Sequence, residues 1–245
     1  MMRGEISGMD RSEFSELSEL SKLSIFSGMT REELEEALSA LHPRAETYAR
    51  NQSILHAGRQ VDDIYVVLSG SVRMEFLDTL GSRSIPAFRM AGQVFGLVPG
   101  ILGNNTVVSA VANEDCRLLL LSVSGLSVPR PYWRPWLYQV TRNLLEAACR
   151  QCMKFSGRDM LLAPKRARDR LIAFLTQLYR EKGTMDFFVP FDQQQLADYL
   201  NLDRSVVSKE LNKLKREGLL WFNRNHFILQ PGTEITGGAE GAEKK

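Results

Sequence analysis

Residues 191–217, FDQQQLADYLNLDRSVVSKELNKLKRE, limit the fold of this chain more than any other stretch. They read as two short helices joined by a tight turn, with a basic outer face on the second. Asp192 is a good N-cap for the first helix, because its carboxylate can accept from the unpaired amides of the first turn. Leu196, Ala197 and Leu200 then recur at helical spacing as a buried stripe. Ala197 is small where the two helices must cross closely. Asn201-Leu202 makes the turn, since Asn enters the left-handed conformation at little cost. Asp203 is expected to cap the second helix, whose Val207, Leu211 and Leu214 face inward. Arg204, Ser205, Ser208, Lys209, Asn212 and Lys213 remain outside, donors long enough to reach base edges and phosphates in a major groove. This pattern implies a helix-turn-helix, with double-stranded DNA as its partner.

The flanks extend the hairpin into a domain. Gly218 stops the second helix. Two apolar runs, 219–222 and 226–229, enclose Asn223-Arg224-Asn225 and read as a β-hairpin in the position of a wing. Residues 187–189, ahead of the motif, are a candidate third strand. Residues 164–230 hold 12 Lys and Arg against 8 Asp and Glu, while the whole chain has a formal charge of only +2. Positive charge gathers where DNA contact is expected, so binding should weaken with salt and still need specific contacts.

At 245 residues and 44% hydrophobic, the chain has room for two domains with cores of their own. Residues 1–22, rich in Ser, Glu and Leu, are read as a flexible arm or a weak helix. Residues 30–41 read as a helix in which Thr30 and Glu33 form a capping box. From about Tyr48 to Val123 the pattern becomes short β segments punctuated by turn residues: 53–56, 64–68, 72–76, 83–88, 107–112 and 117–122. Strands so spaced indicate a barrel or a sandwich. After Pro129, Pro131 and Pro135, the residues Leu137, Val140, Leu144, Ala148, Cys152 and Phe155 form one stripe at the helical period. They are read as the seam of a dimerisation helix. Pro164 marks a hinge before a helix at 165–179, and the Gly/Glu/Lys-rich residues 231–245 read as a disordered tail.

The order of β domain, long helix and winged helix-turn-helix resembles the CRP/FNR family of bacterial transcription regulators, over roughly residues 23–230. LADYLNLDRSVVSKELNKLKREGLL (196–220) is similar to that family's recognition segment. VVLSGSVRM (66–74) and AGQVFG (91–96) are similar to its Gly-marked β-roll turns. The resemblance implies an α+β fold: an N-terminal β-roll of cyclic-nucleotide-binding type (23–128), a dimerisation helix and hinge (129–163) and a C-terminal winged helix-turn-helix (164–230). It also implies a homodimer on a palindrome whose half-sites lie one helical turn, about 34 Å, apart. Arg204, Ser205 and Lys209 match the family's base-reading positions. Gln193 and Gln194 match phosphate-contacting ones, and Ser208 and Lys213 are assigned to phosphates beside them. Arg204 suits guanine. Ser205 replaces the Glu of many relatives, and its short hydroxyl is expected to read that position less stringently.

The sensor half departs from the family pattern. Leu97 stands where cyclic-nucleotide binders carry a ribose-holding Glu, and Thr106 and Val107 where they carry a phosphate-holding Arg and a Ser or Thr. A buried phosphate without its cation is costly, so the pocket is degenerate and neither cyclic AMP nor cyclic GMP is expected to bind. An iron–sulfur cluster of the family's kind needs four cysteines, mostly N-terminal. This chain has three, beginning at Cys116. No cofactor is expected. Cys149 and Cys152 are neighbours on the long helix, either a thiol pair that could bind metal or oxidise, or small fillers of an interface. His42, His56 and His226 are scattered, so no metal site is assigned. Tyr132, Trp133, Trp136 and Tyr138 either line an apolar effector pocket or pack helix against β domain.

No Ser/His/Asp order, phosphate loop or carboxylate pair suggests an enzyme. No apolar run approaches the roughly 18 residues of a membrane span, and no signal peptide is evident. The expectation is a cytoplasmic protein with no membrane partner, an unknown effector, and RNA polymerase as a further partner if it activates transcription. The alternative is a redox- or small-molecule-sensing module whose terminal domain mediates protein contacts.

Overall fold

The computed structural model describes residues 19–126, 134–189 and 191–231. Expectations for the arm at 1–18, for Tyr132 and Trp133, and for the tail at 232–245 fall outside these residues. The chain packs as two compact units, residues 1–74 with 88–152 and residues 75–87 with 153–245.

The β region, residues 44–122, is built on two sheets. One has the order β1 (Arg44–Tyr48), β8 (Cys116–Ser122), β3 (Asp63–Ser69), β6 (Val94–Phe95). The other has the order β2 (Ser53–Leu55), β7 (Ser109–Ala112), β4 (Ser71–Leu77), β5 (Arg83–Met90). Strand β3 reads as a continuous apolar run because both its faces are covered. Ile64 and Val66 join the cluster with the helices, while Tyr65 points the other way and stacks on Phe95 at 4.8 Å. The turn from β3 to β4 requires glycine: φ of Gly70 is +75°, and a Cβ there would lie 2.4 Å from the Asp115 carbonyl oxygen.

The α-helices described between residues 31 and 162 are α1 (Arg31–Leu41), α2 (Leu97–Leu102) and α3 (Pro135–Leu162). The capping box of α1 is formed in both directions, with Thr30 Oγ1 accepting from the Glu33 amide at 3.2 Å and Glu33 Oε2 accepting from the Thr30 amide at 2.8 Å. One apolar cluster joins Leu34, Ala37 and Leu41 of α1, the outer face of β3 and β8, and Trp136, Leu137, Val140 and Leu144 of α3.

Several short elements escape the sequence reading, among them β1, β6 and α2. Strand β1, RAETY, is mostly exposed and carries no alternating pattern; its backbone pairing with β8, Ala45 opposite Leu119, is what makes it a strand. Strand β6 is two residues long. Helix α2 lies between Gly96 and Gly103, both left-handed.

The expected seam on α3 needs correction. Leu137, Val140 and Leu144 are buried in the core of their own β domain, and Ala148 packs partly against it. Cys152 and Phe155 are exposed. The stripe is therefore buried over its first part and exposed at its end. The face left open instead carries Tyr138, 60% exposed, and Leu145, 64% exposed.

The second unit carries α4 (Ala167–Lys182), β9 (Asp186–Phe188), α5 (Gln193–Leu200), α6 (Arg204–Arg216), β10 (Leu220–Asn223) and β11 (His226–Leu229). Its sheet has the order β10-β11-β9, with Phe227 opposite Phe222 on one side and Phe187 on the other. The β10–β11 hairpin turns through Arg224 at φ +53°. Leu171, Phe174 and Leu175 of α4 are buried with Leu196, Ala197, Leu200, Val207, Leu211 and Leu214. Among the described residues no helix is long and apolar enough to cross a membrane.

Candidate nucleic-acid interface

Helix α5 starts with a complete capping box: Asp192 Oδ1 accepts from the Gln195 amide at 2.9 Å, and Gln195 Oε1 accepts from the Asp192 amide at 3.0 Å. It ends at Asn201, left-handed at φ 51°, ψ 55°. The amide of Leu202 closes the turn on the Ala197 carbonyl at 3.0 Å. Ala197 itself is fully buried.

Helix α6 then presents two faces. Val207, Leu211 and Leu214 are buried, as their spacing requires. Ser205, Lys209, Asn212 and Arg216 follow one another along the exposed side at intervals of three and four residues, so they form one outward ridge. Arg204 and Lys213 are exposed beside it, and Ser208 is half-buried. Two of these groups are engaged within the helix: Asn212 Nδ2 donates to the Ser208 carbonyl at 2.9 Å and Arg216 Nε to the Asn212 carbonyl at 3.4 Å. Asp203 stands at the N-cap position with extended backbone, but its side chain makes no capping bond. The first-turn amides of α6 are thus left to other acceptors, which corrects the sequence expectation.

On α5, Gln193 is half-buried and Gln194 exposed. The Gln194 side chain is held, its Nε2 donating to Asp198 Oδ1 at 2.8 Å. Asp198 is buried although charged, and its other oxygen accepts from Arg83 Nε at 3.0 Å and Nη2 at 2.7 Å. Arg83 also lies 3.6 Å from Glu75.

Two arginines that sequence reasoning passed over hold the turn between the helices. From α4, Arg170 Nη1 donates to the Leu200 carbonyl at 3.3 Å and the Asn201 carbonyl at 3.2 Å, while Nε donates to the Pro164 carbonyl at 2.7 Å. From α3, Arg158 Nη2 donates to the Tyr199 carbonyl at 3.0 Å, and its guanidinium sits 5.3 Å from the Tyr199 ring centroid. Burial lowers the Arg158 pKa from its ordinary value and raises that of the Tyr199 phenol. The carbonyls at the end of a helix lack intrahelical partners, and a cation there also suits the helix dipole. No local pattern marks these arginines, because the turn carbonyls they hold lie 30 or more positions away. On the far side, Lys215 of α6 rests 5.5 Å from the Trp221 and Phe222 rings of the wing.

The residues at the family's nucleotide positions have other surroundings. Leu97 is buried in the apolar cluster. Thr106 is buried, its hydroxyl donating to the Val108 carbonyl at 2.9 Å. Val107 is 75% exposed. Between α2 and α3 lies an apolar recess of about 520 Å³, lined by Val98, Ile101, Leu102, Leu144 and Leu145 among others. Cys116 is buried in β8, where desolvation raises its thiol pKa, and Cys149 and Cys152 are exposed on α3. Among the described residues no group of three or more His, Cys, Asp or Glu is placed to hold a metal ion.

Comparison with known proteins agrees with this arrangement. Residues 45–127 match the cyclic nucleotide-binding domain and residues 169–232 the Crp-like helix-turn-helix domain. The nitrogen fixation regulation protein FixK of Azorhizobium caulinodans is 31% identical over 188 residues, covering 74% of this chain and 73% of its own. The transcriptional regulatory protein btr of Bordetella pertussis is 26% identical over 210 residues, covering 82% and 83%. The solved structure of FixK2 from Bradyrhizobium japonicum superposes with a TM-score of 0.66 at 25% identity, over 79% of this chain and 95% of that one. A β domain of the nucleotide-binding type, followed by a clamped helix-turn-helix and matched over about three quarters of the chain or more by such regulators, makes this chain a member of the CRP/FNR family of DNA-binding transcription regulators.

Proposed function

We propose that the chain regulates transcription as a homodimer, setting α6 of each copy into successive major grooves of a palindromic site, and that it does so without a cyclic nucleotide. The observation that carries the reading is the outward ridge of α6, exposed on a helix whose preceding turn is held by Arg170 and Arg158. Arg204, Ser205 and Lys209 read bases; Gln193, Gln194, Ser208 and Lys213 engage phosphates. Two copies meet through the open face of α3, where Tyr138 and Leu145 are exposed next to the apolar recess behind α2. A parallel pairing of α3 helices relates the two copies by a two-fold axis, the symmetry that a palindrome needs.

The nucleotide positions favour an effector of another kind, or none. The chain offers no cation at Thr106 or Val107 and an apolar side chain at Leu97, which is already part of the core. Three cysteines, one of them buried, fall short of the four ligands of a family cluster.

The test begins with enrichment of bound sites from a random-sequence duplex library, which gives the half-site. Arg204→Ala and Lys209→Ala are then measured by anisotropy on that site. Loss of a bidentate base contact at Arg204 should cost about 1–3 kcal/mol, roughly 5- to 150-fold, and relax preference at one position. Unchanged affinity and preference in both variants would remove α6 as the reading element. Calorimetry with cyclic AMP and cyclic GMP is expected to show no micromolar binding.

A further inference from the structure

Around α3, about a quarter turn from the buried Leu137, Val140 and Leu144, runs a second stripe: Tyr138, Thr141, Leu145, Ala148, Cys152. Its steps are three, four, three and four residues, the spacing of a left-handed two-stranded supercoil. None of the five is charged, and Tyr138, Thr141, Leu145 and Cys152 are exposed. A second copy of the same helix is the occupant that this spacing fits, because each copy presents the repeat that the other requires.

We propose that Cys152 is the site of a symmetric disulfide between two copies of this chain. The inference rests on the homodimer reading above. In a parallel pair, residues on the central line of the stripe face their own counterparts across the two-fold axis. Packed helix axes lie about 8–10 Å apart, and Cα atoms sit about 2.3 Å from each axis. Inward-facing Cα atoms are then about 3.4–5.4 Å apart, more as they splay, which overlaps the roughly 4.4–6.8 Å span of a disulfide. Cys149 is also exposed but lies to one side of the line, so two copies of it point apart. Nor do Cys149 and Cys152 suit each other: residues three apart on a helix hold their Cβ atoms about 5–6 Å apart, beyond the roughly 3.5–4.5 Å that a disulfide allows.

The oxidant is a low-molecular-weight disulfide. Sγ of one Cys152 attacks it, forming a mixed disulfide and releasing one small thiol. Sγ of the second Cys152 displaces the other small thiol and closes the S–S bond. The two protein thiols give up two electrons to the oxidant, and their two protons go to the two released thiols. The product is a covalent dimer that holds its DNA-binding state at dilutions where the reduced pair separates.

The experiment uses the full chain, first reduced and measured by light scattering, then incubated with oxidised glutathione and run on a non-reducing gel. The wild type and Cys149→Ser should give a covalent dimer that dithiothreitol reverses. Cys152→Ser should lose that band while still scattering as a dimer when reduced. A dimer by scattering that fails to cross-link, or one whose cross-link survives Cys152→Ser, overturns this inference and leaves the dimer reading standing. A monomer by scattering overturns both.

Discussion

Replacing Arg170 with Ala tests whether the turn of the helix-turn-helix is held from outside. Arg170 makes one short bond to the Pro164 carbonyl, at 2.7 Å, and two longer ones to Leu200 and Asn201, at 3.3 and 3.2 Å. A hydrogen bond from a charged donor is worth about 1.5–3 kcal/mol and an average one about 0.5–1.5. The gross sum is therefore about 2.5–6 kcal/mol. Arg170 is only half-buried and Asn201 is exposed, so water replaces part of what is lost. The expected net loss is about 2–3 kcal/mol, which for a chain of this size lowers Tm by roughly 4–12 °C. Urea unfolding followed by circular dichroism measures it, with little change in slope. Arg170→Lys keeps the charge but not the planar fork and should restore less than half of the loss. At temperatures where both variants remain folded, affinity for the selected DNA site should fall, because α6 loses the fixed start of its trajectory. A stability change within about 0.5 kcal/mol, the range of an ordinary surface substitution, would refute the reasoning. The left-handed Asn201 and the packing of Ala197 would then be enough to set the turn.

The two faces of α3 should separate by mutation. Leu137→Ala or Leu144→Ala empties a buried position and is expected to cost about 2–5 kcal/mol of subunit stability, whereas Leu145→Ala, at 64% exposure, should leave it within about 0.5 kcal/mol and instead weaken self-association by light scattering. Alkaline titration provides a further test. Burial, with the Asp63 and Glu46 carboxylates nearby, pushes the Tyr65 phenol up to about 12, so the folded state favours the neutral form. That contribution is complete below the unfolded value near pH ~10 and is lost as pH rises through about 12. Stability should therefore fall across that window, with phenolate absorbance tracking unfolding; Tyr65 ionising near its ordinary value in a still-folded protein would contradict it.

Several features could be read directly from residue order because their causes are local. Thr30 with Glu33 and Asp192 with Gln195 cap helices through partners three positions away, and Val207, Leu211 and Leu214 define an inward face by spacing alone. Asn201 marks the turn through its own backbone preference. What escaped has distant causes. Strand β1 exists through its ladder with β8, from Arg44 opposite Leu120 to Tyr48 opposite Cys116. Arg170, Arg158 and the Arg83–Asp198 pair act on groups far along the chain, and nothing near them in sequence marks their partners.

The long helix draws the line most clearly. Its residue order determines that α3 is helical and that an apolar stripe from Leu137 to Phe155 must be covered, since hydrophobic periodicity depends only on spacing. Periodicity carries no information about what does the covering. Only the tertiary structure decided that Leu137, Val140 and Leu144 close the chain's own β domain, because α1, β3 and β8 converge on that side of the helix. That choice leaves Tyr138, Leu145 and Cys152 exposed on the helix.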